Sequence, residues 1–237
     1  MIGRIGIAAL ILLGFATDPR PARSQEDTPV VVELYTSQGC SSCPPADAFL
    51  SVLAPREDVI ALGLHVDYWD YIGWKDVFGS PEFSARQKAY AKAAGRRSVY
   101  TPQMIIGGEA DVVGNHPMDV TDLIDSYRDR PVRVHLTLER RGPDRVGIDA
   151  EAVDRIAGPL LVQIVRYVPE AQVEIQRGEN AGHKLSYSNI VTDWDLLAEW
   201  DAQEPYKAEI EVPGDKPVVV LIQQAGPGPI EAAARLR

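Results

Sequence analysis

Residues 30–46 read Val-Val-Val-Glu-Leu-Tyr-Thr-Ser-Gln-Gly-Cys-Ser-Ser-Cys-Pro-Pro-Ala. The apolar, β-branched run bounded by Pro29 and a polar turn predicts a buried strand at Val30–Tyr35. Ala46, Phe49, Leu50 and Leu53 then recur at helical spacing until Pro55 stops the pattern. Between strand and helix stand Cys40 and Cys43, the only 2 cysteines of 237 residues. Such a C-x-x-C pair can close a small disulfide loop, stay a dithiol poised for exchange, or supply half of a metal site. A closed structural zinc site needs four ligands, and the 4 scattered histidines supply no second pair. Redox chemistry is therefore the first reading, with an inert structural disulfide and metal binding as alternatives. So short a loop would return little entropic stabilisation, which weakens the staple reading.

The chain then continues with a second buried strand at Val59–Val66. Strand, helix and strand with short joints predict a βαβ unit with parallel strands and a right-handed crossover. Asp67–Gly79 carries Tyr68, Trp69, Tyr71, Trp74 and Phe78 directly after a strand's C-terminal end. Ligands of open α/β sheets bind outside that end; the same stretch also reads as a packed insertion covering a sheet edge. Ser80 and Pro81 open a helix with Phe83, Gln87, Tyr90 and Ala94 on one face, ended by Gly95. Thr101–Gly108 reads as a strand running into a glycine turn, with Ala110–Val113 as its hairpin partner. Asp119 caps a further helix whose buried stripe is Val120, Leu123, Ile124 and Tyr127.

The pattern changes near Arg130-Pro131. Val132, Val134, Leu136 and Leu138 alternate with polar residues, as do Val146, Ile148 and Ala150. Leu160–Val168, Val173–Gln176, Lys184–Val191, Tyr206–Val212 and Val218–Gln223 are further strand candidates. Short strands separated by turns predict a small antiparallel sandwich or barrel, and Glu231–Arg237 reads as a final helical turn. The chain thus divides into a first domain at 27–130, with an insertion at about 68–97, and a C-terminal β domain at 131–237.

Residues 1–24 read as a signal peptide, with Arg4 before the apolar run Ile5–Ala16 and Ala22-Arg23-Ser24 as the cleavage site. That run is too short to span a bilayer, and no other segment approaches the length, so no integral span is expected after cleavage. The expected location is secreted or periplasmic, where disulfides persist. The net charge of −10 gives no electrostatic footprint for nucleic acid. No serine-centred triad, phosphate-cradling loop or dinucleotide fingerprint is present, so no cofactor is expected.

The first domain's order is strand, helix, strand, extra helix, β-hairpin and helix, with C-x-x-C at the first strand-to-helix turn. It resembles the thioredoxin fold. Gly-Cys-Ser-Ser-Cys-Pro-Pro-Ala-Asp at 39–47, His-Val-Asp-Tyr-Trp-Asp at 65–70, Tyr-Thr-Pro-Gln at 100–103 and Arg-Gly-Glu-Asn at 177–180 are more specific. They are similar to a family of uncharacterised, secreted bacterial thioredoxin-like proteins, classed as a domain of unknown function. The resemblance spans nearly the whole chain after the signal. It implies an α/β thioredoxin-like domain with a helical insertion, followed by an all-β sandwich-like C-terminal domain.

It also implies a thiol-disulfide oxidoreductase acting on a protein or small thiol/disulfide substrate. Cys40, at or just before a helix N-terminus, would have its thiolate stabilised by free N–H groups and the helix dipole. Cys43 would resolve the mixed disulfide. Glu33 would point inward as the buried general acid/base, although it precedes Cys40 by seven residues where six is usual; pairing with a cation at the sheet edge is the alternative. Thr101 and Pro102 occupy the position of a cis-proline and would carry substrate recognition, beside Tyr68 and Trp69. Two departures stand out. Gly39 replaces the tryptophan that thioredoxins place before the first cysteine. Pro44-Pro45 disfavours helical backbone just before it, so the helix starts near Cys43 and leaves Cys40 outside. The rival readings are a redox-inert binding module with a structural disulfide and a copper-handling protein using Cys40, Cys43 and His65, since thiolate and imidazole suit copper. No other metal site is expected.

Overall fold

The computed structural model describes residues 28–237, so the signal-peptide reading of residues 1–24 lies outside the described residues. Strands β1 (Val30–Thr36) and β2 (Val59–His65) are buried along their whole length. They pair in parallel from Val30↔Val59 to Thr36↔His65, with helix α1 (Pro44–Leu53) between them in the chain. The other edge of β1 takes β3 (Gln103–Ile106) antiparallel, and β3 takes β4 (Ala110–Val113). Gly107 and Gly108 make that hairpin turn at φ 60° and 76°, a region that favours glycine. Helix α2 (Pro81–Ala93) precedes β3, its start fixed by Ser80 Oγ accepting the Glu82 N–H and by proline in the first turn. Helix α3 (Pro117–Arg128) follows β4.

Side-chain alternation along β1 decides which helix meets which face. Val30, Val32 and Leu34 pack with Ala46, Leu50 and Leu53 of α1 and with Val120 and Ile124 of α3. Val31 and Tyr35 point the other way, into a core shared with Phe83 and Tyr90 of α2. The two cysteines and the α2 helix are therefore served by opposite faces of the same strand.

Beyond α3 the architecture departs from expectation. A thioredoxin-like α/β domain followed by a separate all-β sandwich does not form. Strands β7 (Leu160–Glu174), β8 (Lys184–Trp200), β10 (Val218–Gln224) and β11 (Ile230–Leu236) continue the first sheet. The result is one mixed eight-stranded sheet in the order β11-β10-β7-β8-β2-β1-β3-β4. With three α-helices among the described residues, the fold is mostly β. The junction is a parallel contact at Gly63↔Ile190. A side chain at Gly63 would meet Ser188 O at 3.2 Å, so its absence is what admits β8 beside β2.

The merged sheet has a merged core. Val31, Tyr35, Ile60 and Leu62 share one apolar cluster with Val165, Tyr167, Val191, Val219 and Leu221. Separate segments at 160–168 and 173–176 are one bulged strand, with register shifts at Val162/Gln163 and Arg166/Tyr167. Strands β5 (Val134–Arg140), β6 (Arg145–Ala152) and β9 (Tyr206–Glu211) form a small second sheet. Val134, Val146 and Ile148 of that sheet pack on Val162, Val218, Val220 and Ile222. The helical turn expected at Glu231–Arg237 is strand instead: β11 pairs with β10 from Val218↔Leu236 onward, and pairing overrides the helix propensity of the alanine run. Among the described residues no helix is long and apolar enough to cross a membrane.

Candidate functional site

Cys40 and Cys43 form a disulfide at the point where β1 hands over to α1. The turn is built by local hydrogen bonds: Gly39 N–H to Ser37 Oγ at 3.1 Å, Cys40 N–H to Ser37 O at 3.1 Å, and Cys43 N–H to Cys40 O at 3.2 Å. Cys43 is the N-cap residue of α1, with Pro44 at the first helical position. Cys40 thus lies outside the helix, as the proline pair predicts. Both cysteines are enclosed, Cys40 at 1% and Cys43 at 0% exposure, while Ser41 and Ser42 between them are exposed.

Three segments cover the loop. The first is Thr101-Pro102, joined by a cis peptide bond. Ser42 Oγ lies 3.4 Å from Cys40 Sγ and donates to Thr101 O at 3.5 Å. The second is the aromatic stretch after β2. Trp69 Nε1 donates to Thr101 Oγ1 at 2.8 Å, and Tyr68 OH donates to Gln87 Oε1 at 3.0 Å. A Cβ at Gly39 would come within 3.1 Å of both Trp69 Cβ and Ile72 Cδ1. The space where a tryptophan would precede the first cysteine is filled from above by Trp69. Trp69 also stacks on Tyr71, which is 80% exposed.

The third segment is the turn of the β7–β8 hairpin. Asn180 Nδ2 donates to Gln38 O at 2.9 Å and to Cys40 O at 3.0 Å. Glu179 Oε2 accepts the Ser41 N–H at 3.3 Å. Gly178, at φ 80°, lies against Trp74, where a Cβ would meet Trp74 Cβ at 3.3 Å.

Glu33 is fully buried but turned to the α2 face. Its carboxylate accepts Arg86 Nε at 2.7 Å and Nη2 at 2.9 Å, Tyr35 OH at 2.9 Å and Tyr90 OH at 2.7 Å. Arg86 also stacks over Trp194 at 3.8 Å. Burial, with the Glu33 charge next, pushes both tyrosine hydroxyls well above their usual range.

A second buried polar group lies on the α1 side. His65, at the end of β2, sits 2.8 Å through Nδ1 from Asp76 Oδ2. Asp76 already accepts the backbone N–H of Gln38 at 2.8 Å and of Phe78 at 2.9 Å. Its carboxylate therefore acts as acceptor throughout, and His65 Nδ1 is the donor. Asp47 belongs to the same neighbourhood, one turn past Cys43 on the buried side of α1. Burial pushes its carboxyl up to about 7; His65 and the Thr36 hydroxyl oppose the rise and Asp76 adds to it. Among the described residues no set of three or more His, Cys, Asp or Glu side chains is gathered to hold a metal ion.

A family profile described as "Protein of unknown function (DUF1223)" matches residues 31–223. The chain belongs to this family. The matched span runs from β1 into β10, so it takes in the disulfide, the aromatic stretch and the hairpin turn together. The DUF1223 chain is also similar to a solved structural-genomics target from Agrobacterium tumefaciens. The two are 34% identical over 90% of this chain and 96% of the other, with a TM-score of 0.77. A Bacteroides fragilis structure overlaps 44% of this chain and 15% of its own at 12% identity and a TM-score of 0.17, which carries no argument. No curated protein matches.

Within this DUF1223 protein, the residues singled out by sequence separate into two groups. Cys40, Cys43, Thr101, Pro102 and Trp69 come together, with Tyr68 alongside. Glu33 lies across the sheet from α1, and His65 is occupied by Asp76. Asn180, Glu179, Asp47 and Asp76 were not singled out. The motifs at 39–47 and 177–180 contained three of them, but nothing in the sequence showed that those two motifs touch.

Proposed function

We propose that the protein is a thiol-disulfide oxidoreductase acting through Cys40 and Cys43 in a secreted or periplasmic setting. The observation that supports it is the position of the disulfide at the start of α1, beneath Thr101-Pro102 and an exposed aromatic ledge. Only two residues separate the cysteines, so the bond constrains little of the unfolded chain and its stapling value is small. Cys43 at the N-cap lies at the positive end of the α1 dipole, which favours a departing thiolate there. Attack by an outside thiolate then falls on Cys40, beside the exposed Ser41–Ser42 turn, and Cys43 leaves. Trp69 and Tyr71 offer an apolar surface to a protein substrate, and Thr101 the adjoining backbone.

One observation favours a second reading, a structural disulfide in a binding module. Both sulfurs are enclosed, and three segments clamp the loop. A single titration separates the two. The oxidised protein is equilibrated against a glutathione series, the thiols are counted by alkylation, and turnover of a model protein disulfide is followed in parallel. Reduction inside the range of known oxidoreductases, about −120 to −270 mV, together with turnover supports exchange chemistry. A potential below about −300 mV with no turnover overturns it in favour of the structural reading.

A further inference from the structure

Three buried polar atoms, Thr36 Oγ1, Asp47 Oδ2 and Tyr187 OH, have no hydrogen-bond partner within normal distance among the described residues, and all three belong to the neighbourhood of Asp47 and Asp76. They come from β1, α1 and β8, and they lie beside the bound pair His65–Asp76. Tyr187 packs edge-on against the His65 ring at 4.8 Å. Burial raises its hydroxyl pKa, and the Asp47 and Asp76 carboxylates raise it further. A buried polar atom without a partner costs about 1–3 kcal/mol, so three in one place are expensive unless a mobile proton or a bridging water serves them.

Asp47 is the member of this set that shares helix α1 with its N-cap residue Cys43. It follows Cys43 by four residues, and its N–H donates to Cys43 O at 3.1 Å. Side chains at that spacing are neighbours on a helix, with Cβ atoms about 5–6 Å apart, which a single water can bridge. Among the described residues no cationic side chain hydrogen-bonds to Asp47, unlike Glu33, whose charge is held by Arg86 on the opposite face. The groups facing Asp47 are Thr36 from β1, His65 from β2, Asp76 from the aromatic stretch and Tyr187 from β8.

Building on the oxidoreductase reading above, we propose that Asp47 holds and moves the proton of the Cys43 sulfur, within a buried polar chamber formed with Thr36, His65, Asp76 and Tyr187. When a thiolate of an external dithiol attacks Cys40 Sγ, the Cys40–Cys43 bond breaks and its electron pair leaves on Cys43 Sγ. The Asp47 carboxylic acid passes its proton to that sulfur. The dithiol's second sulfur then displaces Cys40, which leaves with the electron pair of the mixed disulfide. The dithiol ends as a disulfide, and the protein's disulfide has gained two electrons. Of the dithiol's two protons, one restores Asp47 and the other reaches Cys40. In the oxidising direction Asp47 carboxylate takes the Cys43 proton and makes it a nucleophile.

The test is the pH–rate profile for reduction of the native disulfide by a small dithiol, in the wild type and in Asp47→Asn. The wild type is expected to show an inflection near pH 7. Asp47→Asn is expected to lose that inflection and to react about a hundredfold more slowly near neutrality. Wild-type rates and an unchanged inflection in Asp47→Asn overturn the assignment while leaving the oxidoreductase reading intact. A wild-type chain that exchanges with no thiol overturns the oxidoreductase reading itself. Carbon-13 NMR of the Asp47 carboxyl in the native chain makes the test independent of the variant's folding. Its midpoint should differ between the oxidised and reduced protein, and an identical midpoint in both states overturns the proposal.

Discussion

The side-chain amide of Asn180 donates to the backbone carbonyl of Cys40 at 3.0 Å, across 140 residues of chain. The same amide reaches Gln38 O at 2.9 Å. The cysteine loop therefore takes its shape from the β7–β8 hairpin as well as from its own turn, and the two halves of the sheet meet at the site.

Replacing Asn180 tests that dependence. Asn180→Ala removes both hydrogen bonds, leaving Gln38 O without this donor and Cys40 O with the Cys43 N–H alone, at a cost of about 1–3 kcal/mol. Urea unfolding should show a lower midpoint with an unchanged slope. The disulfide should also be reduced several-fold faster by a small thiol, because the loop is freed to expose Cys40. A loop that keeps both its stability and its reduction rate would show that the hairpin merely covers it.

Glu33 and Arg86 make a different prediction. Their ion pair is bidentate and the carboxylate is fully buried. Breaking one side of such a pair typically costs about 3–5 kcal/mol, because a buried charge is left uncompensated. Glu33→Gln should lose about that much in equilibrium unfolding, while Glu33→Leu combined with Arg86→Met should lose less. The folded fraction of Glu33→Gln should still exchange thiols within about threefold of the wild-type rate, since the carboxylate faces α2. A collapse of exchange without loss of stability would return Glu33 to the thiol chemistry.

The reason lies in counting along β1, and it shows how far the sequence could be read. Side chains alternate with period two. Glu33 precedes Cys40 by seven residues, so Leu34 takes the α1 face and Glu33 the other. The elements from β1 to α3 were legible because each carried its own period or cap. The joining of β7 and β8 to β2 was not, because a strand with both faces buried looks the same at the edge of a small sheet and in the middle of a large one. What distinguishes them here is Gly63, whose missing side chain is visible in sequence only as one small residue in an apolar run.

Gly63 accordingly carries the third prediction. Gly63→Val places a branched side chain where Ser188 O already lies 3.2 Å from an added Cβ and Leu50 Cδ2 lies 3.4 Å away. Backbone cannot give way as a flexible side chain does, and overpacking of this kind costs about 1–3 kcal/mol. The loss should appear as reduced urea stability together with faster hydrogen exchange of β8 amides around Ile190. Stability equal to the wild type would mean that β8 joins β2 without needing the glycine.

Asp47 sets the pH dependence of the fold. In the unfolded chain an aspartate titrates near about 3.9, and in the folded chain burial holds Asp47 up to about 7. Between those values the native state binds more protons than the unfolded state, so stability falls as pH rises. The contribution is fully present below the unfolded value, is lost as pH climbs through the folded one, and is flat above it. A shift of that size corresponds at most to about 4 kcal/mol, of which about 2–3 kcal/mol is lost between about pH 5 and pH 8. Asp47→Asn keeps the shape and carries no charge, so its stability relative to the wild type should rise over that interval. Chemical denaturation of both proteins at about pH 5 and pH 8 reads the difference directly. A gap that stays constant would mean that Asp47 ionises in the fold as easily as in water, and the chamber beneath the disulfide would then have no proton to lend.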